Sequence, residues 1–315
     1  LNIVLVAEEF AGTQLLKALA GKYSVLEVLT SAPGSPRAGS VNLWQVARDM
    51  GLKTQPAELV KDVDFARHLR AEKVDLLLNV HSLYIIHGEV LSALRVGAYN
   101  LHPGPLPRYA GLNAISWAIY HGEQQHGVTV HKMEPQIDSG AIAYQEMFPI
   151  ENDDTALSLN FRCTSKGVTL MLKLLEDAVA GKAGIPATPQ DLSQRTYFGS
   201  GVPHHGWLQW TTPAEDIVNF IRACDYFPFE SPWGHPQALW NGNEIGIVKA
   251  RKTGIPSRAT PGSVGEISAS GVHVAAQDEW ILLTKLKAGG KYVPAAEVLK
   301  SGDRLEAPRS RIEPC

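Results

Sequence analysis

Asn2-Ile3-Val4-Leu5-Val6-Ala7, closed by the carboxylate pair Glu8-Glu9, is the stretch from which the architecture of the chain can be read. Five aliphatic residues in a row suit a strand covered on both faces, as in a parallel sheet. They are too few for a signal-peptide core, or for a membrane span of roughly 20 apolar residues. Similar short runs recur at 24–30, 74–80 and 98–101, and amphipathic stretches at 10–20, 41–50, 64–72 and 89–94 predict helices between them. Strand and helix in alternation imply an α/β domain with a Rossmann-like, mostly parallel sheet.

Further along, a Pro- and Gly-rich loop at 102–111 leads to a predicted helix at 114–121. Residues 128–133 and 141–148 alternate like strands around a turn at 134–140, and a long amphipathic helix at 156–180 closes the domain. Asp153-Asp154-Thr155 before that helix reads as an N-terminal signal rather than a metal site. Residues 181–213, rich in Pro, Gly, Ser and Thr, read as a crossover linker, with a short helix at 214–223 after it. Beyond it only short strands are expected, at 238–240, 245–250, 262–268, 272–275 and 280–285, which suits a small β-barrel. The division expected is a first domain at 1–190, a linker at 191–213, a second domain at 214–305, and a tail or linker at 306–315 that would allow a fused downstream domain.

Bulk properties narrow the function. The 315 residues are 44% hydrophobic and 19% charged with a net charge of −3, the balance of a soluble globular chain without the basic excess of a nucleic-acid binder. Cys163, Cys224 and Cys315 are too scattered for a disulfide framework or a zinc ribbon, which suits the cytoplasm. Dinucleotide binding is disfavoured, because Glu8 and Glu9 stand where a pyrophosphate would need bare backbone, and no G-x-G-x-x-G follows the first strand. Neither a P-loop nor a G-x-S-x-G elbow is present.

The segment richest in chemistry is Gly97-Ala-Tyr-Asn-Leu-His-Pro-Gly-Pro-Leu-Pro-Arg-Tyr-Ala-Gly111. Asn100 and His102 are two apart near a strand's C-terminal end, so both point to one face, in front of a loop stiffened by proline. Parallel sheets bind ligands beyond such ends. A carboxamide can donate to a developing oxyanion while an imidazole polarises the same oxygen or moves a proton, a pairing suited to acyl transfer. Asp138, in the turn Gln136-Ile-Asp-Ser-Gly140, is the carboxylate best placed to favour a charged His102 and to accept a proton from an attacking amine, directly or through water.

These residues, with Leu106-Pro107, Gly111, Gly122, Gly127-Val-Thr129 and Asp138-Ser-Gly140, make the chain resemble the folate-dependent formyltransferase family. Tyr197-Phe-Gly199, Trp207-Leu-Gln-Trp210 and Ile221-Arg222-Ala223 extend the resemblance over nearly the whole length. The likeness leans toward the branch acting on UDP-4-amino-4-deoxy-L-arabinose and toward methionyl-tRNA formyltransferases. It implies a catalytic Asn100, His102 and Asp138, 10-formyltetrahydrofolate as formyl donor, no metal, and an OB-like fold for the C-terminal barrel. It implies a folate site at Tyr84, Ile85, Ile86, Glu134, Pro135, Gln136, Ile137 and Asp138. An acceptor loop would comprise Gly104, Arg108, Tyr109, Leu112 and Asn113. The family usually has Ser at the position of Gly104 and often Arg at that of Ala110, and the arabinose branch has Arg at that of Leu112. The resemblance therefore leaves the acceptor open.

Other residues have plainer readings. His81, His87, His121 and His131 read as structural, and His204-His205 as a solvated linker pair. Trp207, Trp210, Tyr226, Phe227, Phe229 and Trp233 read as domain-interface packing, since few basic residues accompany them. Residues 207–315 hold 12 Lys and Arg against 12 Asp and Glu, and the loop at 31–40 has Arg37 as its one basic residue, so a tRNA partner is disfavoured. The expected acceptor is a small amine, an amino-sugar nucleotide or amino-acid type, in a cavity walled by the 102–113 loop and the linker. Methionyl-tRNA formylation, 10-formyltetrahydrofolate hydrolysis, and formylation of a carrier-bound aminoacyl group within a larger assembly remain open.

Overall fold

The computed structural model describes residues 1–33, 42–181 and 184–308. Val41, Arg37 and most of the tail therefore lie outside the described residues. By its internal contacts the chain forms two compact units. The first comprises Leu1–Gly111, Gln125–Phe148 and Asn160–Tyr197, and the second Leu112–Gln124, Pro149–Leu159 and Phe198–Cys315.

In the first unit, strand β1 (Asn2–Ala7) lies mid-sheet, with Ile3 to Ala7 wholly buried, as its aliphatic run requires. The other strands are β2 (Ser24–Thr30), β3 (Lys53–Pro56), β4 (Leu76–Val80), β5 (Gly97–His102), the two-residue β6 (Ala110–Gly111), β7 (Gln125–Lys132) and β8 (Ile142–Pro149). The main sheet runs in the order β3-β2-β1-β4-β5-β7-β8, with β1 to β5 parallel and β7 antiparallel to β5. The mostly parallel α/β sheet expected from the sequence is thus present. Helices α1 (Glu9–Leu19), α2 (Leu43–Asp49), α3 (Val63–Ala71) and α4 (Gly88–Ser92) connect the parallel strands. Asn42 and Asp62 cap α2 and α3 by accepting from the amides of Gln45 and Asp64. Phe65, Ala66 and Leu69 of α3 join Val4, Val6 and Leu77 of the sheet in one apolar core.

The sheet grows outward from β1 in both directions, to β2 on one side and β4 on the other. This creates a crevice at the C-terminal ends of β1 and β4, where open α/β sheets bind ligands. The long α6 (Ala156–Ala180) packs Gly167 against Leu101 of β5, where a Cβ would lie 2.5 Å from Leu101 Cδ1. In the first turn of α6, Ser158 Oγ donates to Asp154 Oδ1 and Ser158 N to Thr155 Oγ1, so Asp154 and Thr155 organise the helix start.

The second unit contains α5 (Ala114–Tyr120), the short β9 (Tyr197–Phe198) entering it, α7 (Ala214–Ala223), and an antiparallel sheet. Its strands are β10 (Gln237–Trp240), β11 (Asn243–Pro256), β12 (Val264–Ser268), β13 (Gly271–Ala275), β14 (Glu279–Ala288), β15 (Lys291–Pro294) and β16 (Leu305–Glu306). The order is β12-β13-β14-β11-β10-β16, with β15 also on β14. Register shifts along β11 curl the sheet. Its two ends meet where Val264 N donates to Asp303 O and Leu305 N to Gly262 O, each at 2.8 Å, giving an OB-like barrel. Gly262 (φ +85°) is needed at that seam, since a Cβ there would stand 2.1 Å from Leu305 O. Trp207, Trp210 and Trp233 are buried within this unit.

Candidate active site

Three polar side chains share one cross-strand row in the first unit. Asn79 on β4 pairs in register with Asn100 on β5, which pairs with His131 on β7. Cross-strand partners carry their side chains on the same face, and the amides and imidazole meet. Asn79 Nδ2 donates to Asn100 Oδ1 at 2.8 Å, and Asn100 Nδ2 lies 3.1 Å from His131 Nε2. Two residues on, His102 extends the same face of β5 and is buried.

Asp138 ties this row together. Its Oδ1 lies 3.3 Å from His131 Nε2 and 3.4 Å from Asn100 Nδ2. Its Oδ2 accepts from the Gly111 amide at 2.8 Å and lies 3.5 Å from His102 Nδ1. The far nitrogen of His102, Nε2, donates to the Tyr109 carbonyl at 2.7 Å. Asp138 takes a left-handed conformation (φ +52°), and its turn is fastened from outside. Gln190 Nε2 donates to the carbonyls of Asp138 and Gly140, and Arg195 to that of Ile137.

The loop after His102 is equally anchored. Thr129 Oγ1 donates to Gly104 O at 2.7 Å and accepts from Leu106 N at 3.2 Å and from Gln145 Nε2 at 2.9 Å. His126 Nε2 donates to Pro103 O, and Tyr109 N to Thr196 Oγ1. The pyrrolidine rings therefore work with a fixed set of hydrogen bonds to hold the Tyr109 carbonyl and the Gly111 amide on either side of the imidazole.

Electrostatics follow from burial and proximity. Burial, the largest influence on Asp138, would raise its pKa. The charges of His102 and His131 and the hydrogen bonds from His131 and Gly111 outweigh it, holding the carboxyl well below the usual range. For His102, burial lowers the pKa below that of an ordinary histidine despite the nearby Asp138. Both of its ring nitrogens nevertheless face oxygen acceptors, an arrangement that the imidazolium completes by donating twice. Asp138 thus supports the charge on His102, and burial opposes it.

Of the residues named from the sequence, Asn100, His102 and Asp138 come together. Among the folate residues, Tyr84 and Ile86 turn inward, while Ile85 is 65% exposed beside Leu83 at 64%, and Ile137 in the Asp138 turn is 41% exposed. Glu134, Pro135 and Gln136 occupy the outward part of that turn. In the acceptor loop Gly104 and Tyr109 are buried and Arg108 is exposed, its guanidinium over the Tyr109 ring. Ala110 is buried too. Leu112 and Asn113 belong to the second unit, where Asn113 (φ +56°) precedes α5.

His131, read as structural from the sequence, lies inside the constellation, and Asn79 was not singled out at all. Their signal is the pairing register of β4, β5 and β7, which a single sequence does not display. At the crevice Glu8 is buried and accepts from Thr30 Oγ1 and from both N and Oγ of Ser31, and burial raises its pKa. That end of β1 offers no cradle for a pyrophosphate. Among the described residues no group of three or more His, Cys, Asp or Glu could hold a metal ion, and no helix is long and apolar enough to cross a membrane.

Comparison with known proteins places this geometry in context. Residues 11–175 match the formyl transferase family, and residues 202–302 the formyl transferase C-terminal domain. Methionyl-tRNA formyltransferase from Moorella thermoacetica is 30% identical over 93% of this chain and 93% of its own length. That from Kosmotoga olearia is 30% identical over 95% of each. The fold is shared with an N-formyltransferase from Helicobacter canadensis solved with folinic acid and dTDP-3-aminofucose (TM-score 0.67, 18% identity, 89% of this chain and 98% of that one). It is shared also with HypX from Aquifex aeolicus solved with tetrahydrofolic acid (TM-score 0.66, 20% identity, 94% of this chain and 46% of that one).

Proposed function

We propose, from the premise that this chain belongs to the formyl transferase family, that it moves the formyl group of 10-formyltetrahydrofolate onto the amine of a small acceptor. The observation that carries this reading is the single carboxylate of Asp138, which reaches His102 through one oxygen and Asn100 with His131 through the other. The exposed Leu83, Ile85 and Ile137 give the apolar contact that a flat pterin and benzoyl system needs.

The amine lone pair attacks the formyl carbon, forming a C–N bond, and the formyl oxygen takes up negative charge. Asn100 turns to that oxygen the N–H that makes the long 3.4 Å contact with Asp138. His102 reaches it by sharing with it the proton it now gives to the Tyr109 carbonyl. Asp138, ionised at rest, supports the charge on His102. The amine proton passes by way of Asp138 or an adjacent water to N10 of tetrahydrofolate, as the old C–N10 bond breaks.

A small acceptor is favoured by the charge balance of the second domain, which has as many acidic as basic residues over 207–315. A phosphate-tracking surface would need a basic excess. The full-length likeness to methionyl-tRNA formyltransferases is the one specific reason to keep a tRNA acceptor as the second reading. Purified protein given 10-formyltetrahydrofolate and a panel of amines should release tetrahydrofolate and an N-formyl product. Formate release independent of amine would replace transfer by hydrolysis.

A further inference from the structure

We infer that residues 188–196 form a positioning strap, in which Gln190, Arg195 and Thr196 hold Asp138 and Tyr109 in the backbone conformations that set both flanks of His102. The catalytic consequence rests on the formyl-transfer reading, whereas the structural content does not.

The oxygens that His102 faces belong to Asp138, whose Oδ2 is 3.5 Å from Nδ1, and to Tyr109, whose carbonyl is 2.7 Å from Nε2. Both residues are left-handed, Asp138 at φ +52° and Tyr109 at φ +58°, although neither is glycine. Such a backbone is unfavourable for a residue with a Cβ, and persists only where its surroundings fix it.

The strap fixes each residue through the peptides on both sides of its Cα. Ahead of Asp138, Arg195 Nη2 donates to Ile137 O at 2.9 Å; behind it, Gln190 Nε2 donates to Asp138 O at 3.0 Å. The second hydrogen of the Gln190 amide goes to Gly140 O at 2.7 Å, so that group is used in full. The reversed amide would set its oxygen against two carbonyls. At Tyr109, Thr196 Oγ1 accepts from the Tyr109 amide at 2.8 Å, and Thr196 O from the Ala110 amide at 2.9 Å. Neither Asp138 nor Tyr109 can relax to a right-handed conformation without giving up one of these bonds.

The strap is itself a built element of the first unit. It starts at a two-bond bridge between Thr188 and Ile142, at 2.8 and 2.9 Å. Asp191 then turns it, accepting from both N and Oγ of Ser193. Gln190 and Arg195 thereby reach the turn carrying Asp138, and Thr196 the loop after His102. Their bonds go to the backbone around Asp138 and Tyr109, so they act on His102 through those two residues. The charge of Asp138 and the bond to Tyr109 O are the two influences that raise the His102 pKa, against burial and the charges of His131 and His81. Loosening either flank should therefore lower it.

NMR titration of His102 reads the flanks without reference to activity. Gln190→Met keeps the length but donates nothing, and Thr196→Val keeps the shape but cannot accept. Each should shift the His102 titration below that of wild type, while Thr196→Ser, which still accepts, should leave it in place. A titration unmoved in either folded variant, or moved equally by Thr196→Ser and Thr196→Val, would overturn the inference. In turnover, Thr196→Val should lower kcat by about 10-fold, part of the roughly 100-fold that a catalytic group out of place by ~1 Å can cost. The KM for 10-formyltetrahydrofolate should stay within about threefold of wild type, and Thr196→Ser should recover most of the lost kcat. Wild-type kcat in Thr196→Val would refute the role. Should wild type form no N-formyl product with any amine, formyl transfer itself falls, and the His102 titration decides the inference alone.

Discussion

Gly140 approaches the Lys132 carbonyl so closely that a Cβ on Gly140 would stand 2.0 Å from Lys132 O. The two residues close the turn that presents Asp138, with Lys132 N donating to Ala141 O at 2.9 Å just beyond. No side chain fits between them, so the turn must open if one is introduced. Gly140→Ala should cost about 1–3 kcal/mol of stability, in the range of overpacking in a tight site. It should also lower kcat by more than it changes the sheet, since the displaced group is the one carrying Asp138. Thermal unfolding and circular dichroism, read beside turnover, would check this; full activity at unchanged Tm would contradict it.

His102→Ala should reduce turnover by roughly two to four orders of magnitude, the usual reach of a group that moves protons or meets an oxyanion. Binding of 10-formyltetrahydrofolate should be nearly preserved, since the apolar contacts proposed for it come from Leu83, Ile85 and Ile137. Equilibrium titration and single-turnover rates separate the two effects. Near-normal turnover would remove His102 from the chemistry.

The pH dependence carries two signs to compare. Asp138 has a lowered pKa, so its contribution to stability is present above the unfolded carboxyl value and is lost as pH falls toward the folded one. His102 is also lowered, but as a base. The unfolded chain therefore takes up its proton first, and stability falls as pH drops below the ordinary histidine value toward the folded one. Asp138→Asn should abolish the first dependence. It should also push the His102 titration lower still, because the charge that raises it is gone. An NMR titration in which His102 does not move between wild type and Asp138→Asn would deny the coupling.

How much of this was legible beforehand depends on which interaction sets each feature. The aliphatic run of β1 and the i, i+2 placement of Asn100 and His102 are local, and both are visible in the chain itself. The strand β3 (Lys53–Pro56) was not foreseen, because it is a polar edge strand without apolar alternation. Strand β11 was expected to stop near Ala250 but runs on to Pro256 through Lys, Arg, Thr and Gly, held by pairing with β14. For a related reason His131 reads as structural in the sequence and Asn79 does not stand out. Only the register of neighbouring strands makes them partners of Asn100.

Thr129 makes a further test of the loop. Thr129→Val keeps the shape but removes one of two hydrogen-bond partners from each of the Gly104 carbonyl, the Leu106 amide and the Gln145 side chain. A loss of about 1–3 kcal/mol is expected for such buried groups. The Tyr109 carbonyl beside His102 should also become less firmly placed. Tm and kcat should fall together; a fall in Tm alone would separate the loop's stability from the chemistry.

Salt offers an inexpensive check on the acceptor. Affinity for a tRNA falls steeply between low and moderate salt through counterion release, whereas that for a small uncharged amine should change little. Salt-sensitive binding of an initiator tRNA, with formylation of its aminoacyl group, would install the second reading in place of the first.

The seam at Gly262 and Leu305 has a bearing on how this protein behaves in crowded solution. By bonding the start of β12 to the segment leading into β16, it lets the two ends of the curled sheet shield each other. An open sheet of this length would offer rows of unpaired amides and carbonyls to a neighbouring molecule, the usual template for strand-to-strand aggregation. A bulkier residue at position 262 would pry that join apart. Its first symptom should be self-association at high protein concentration, visible by light scattering before any change in the chemistry of the first unit.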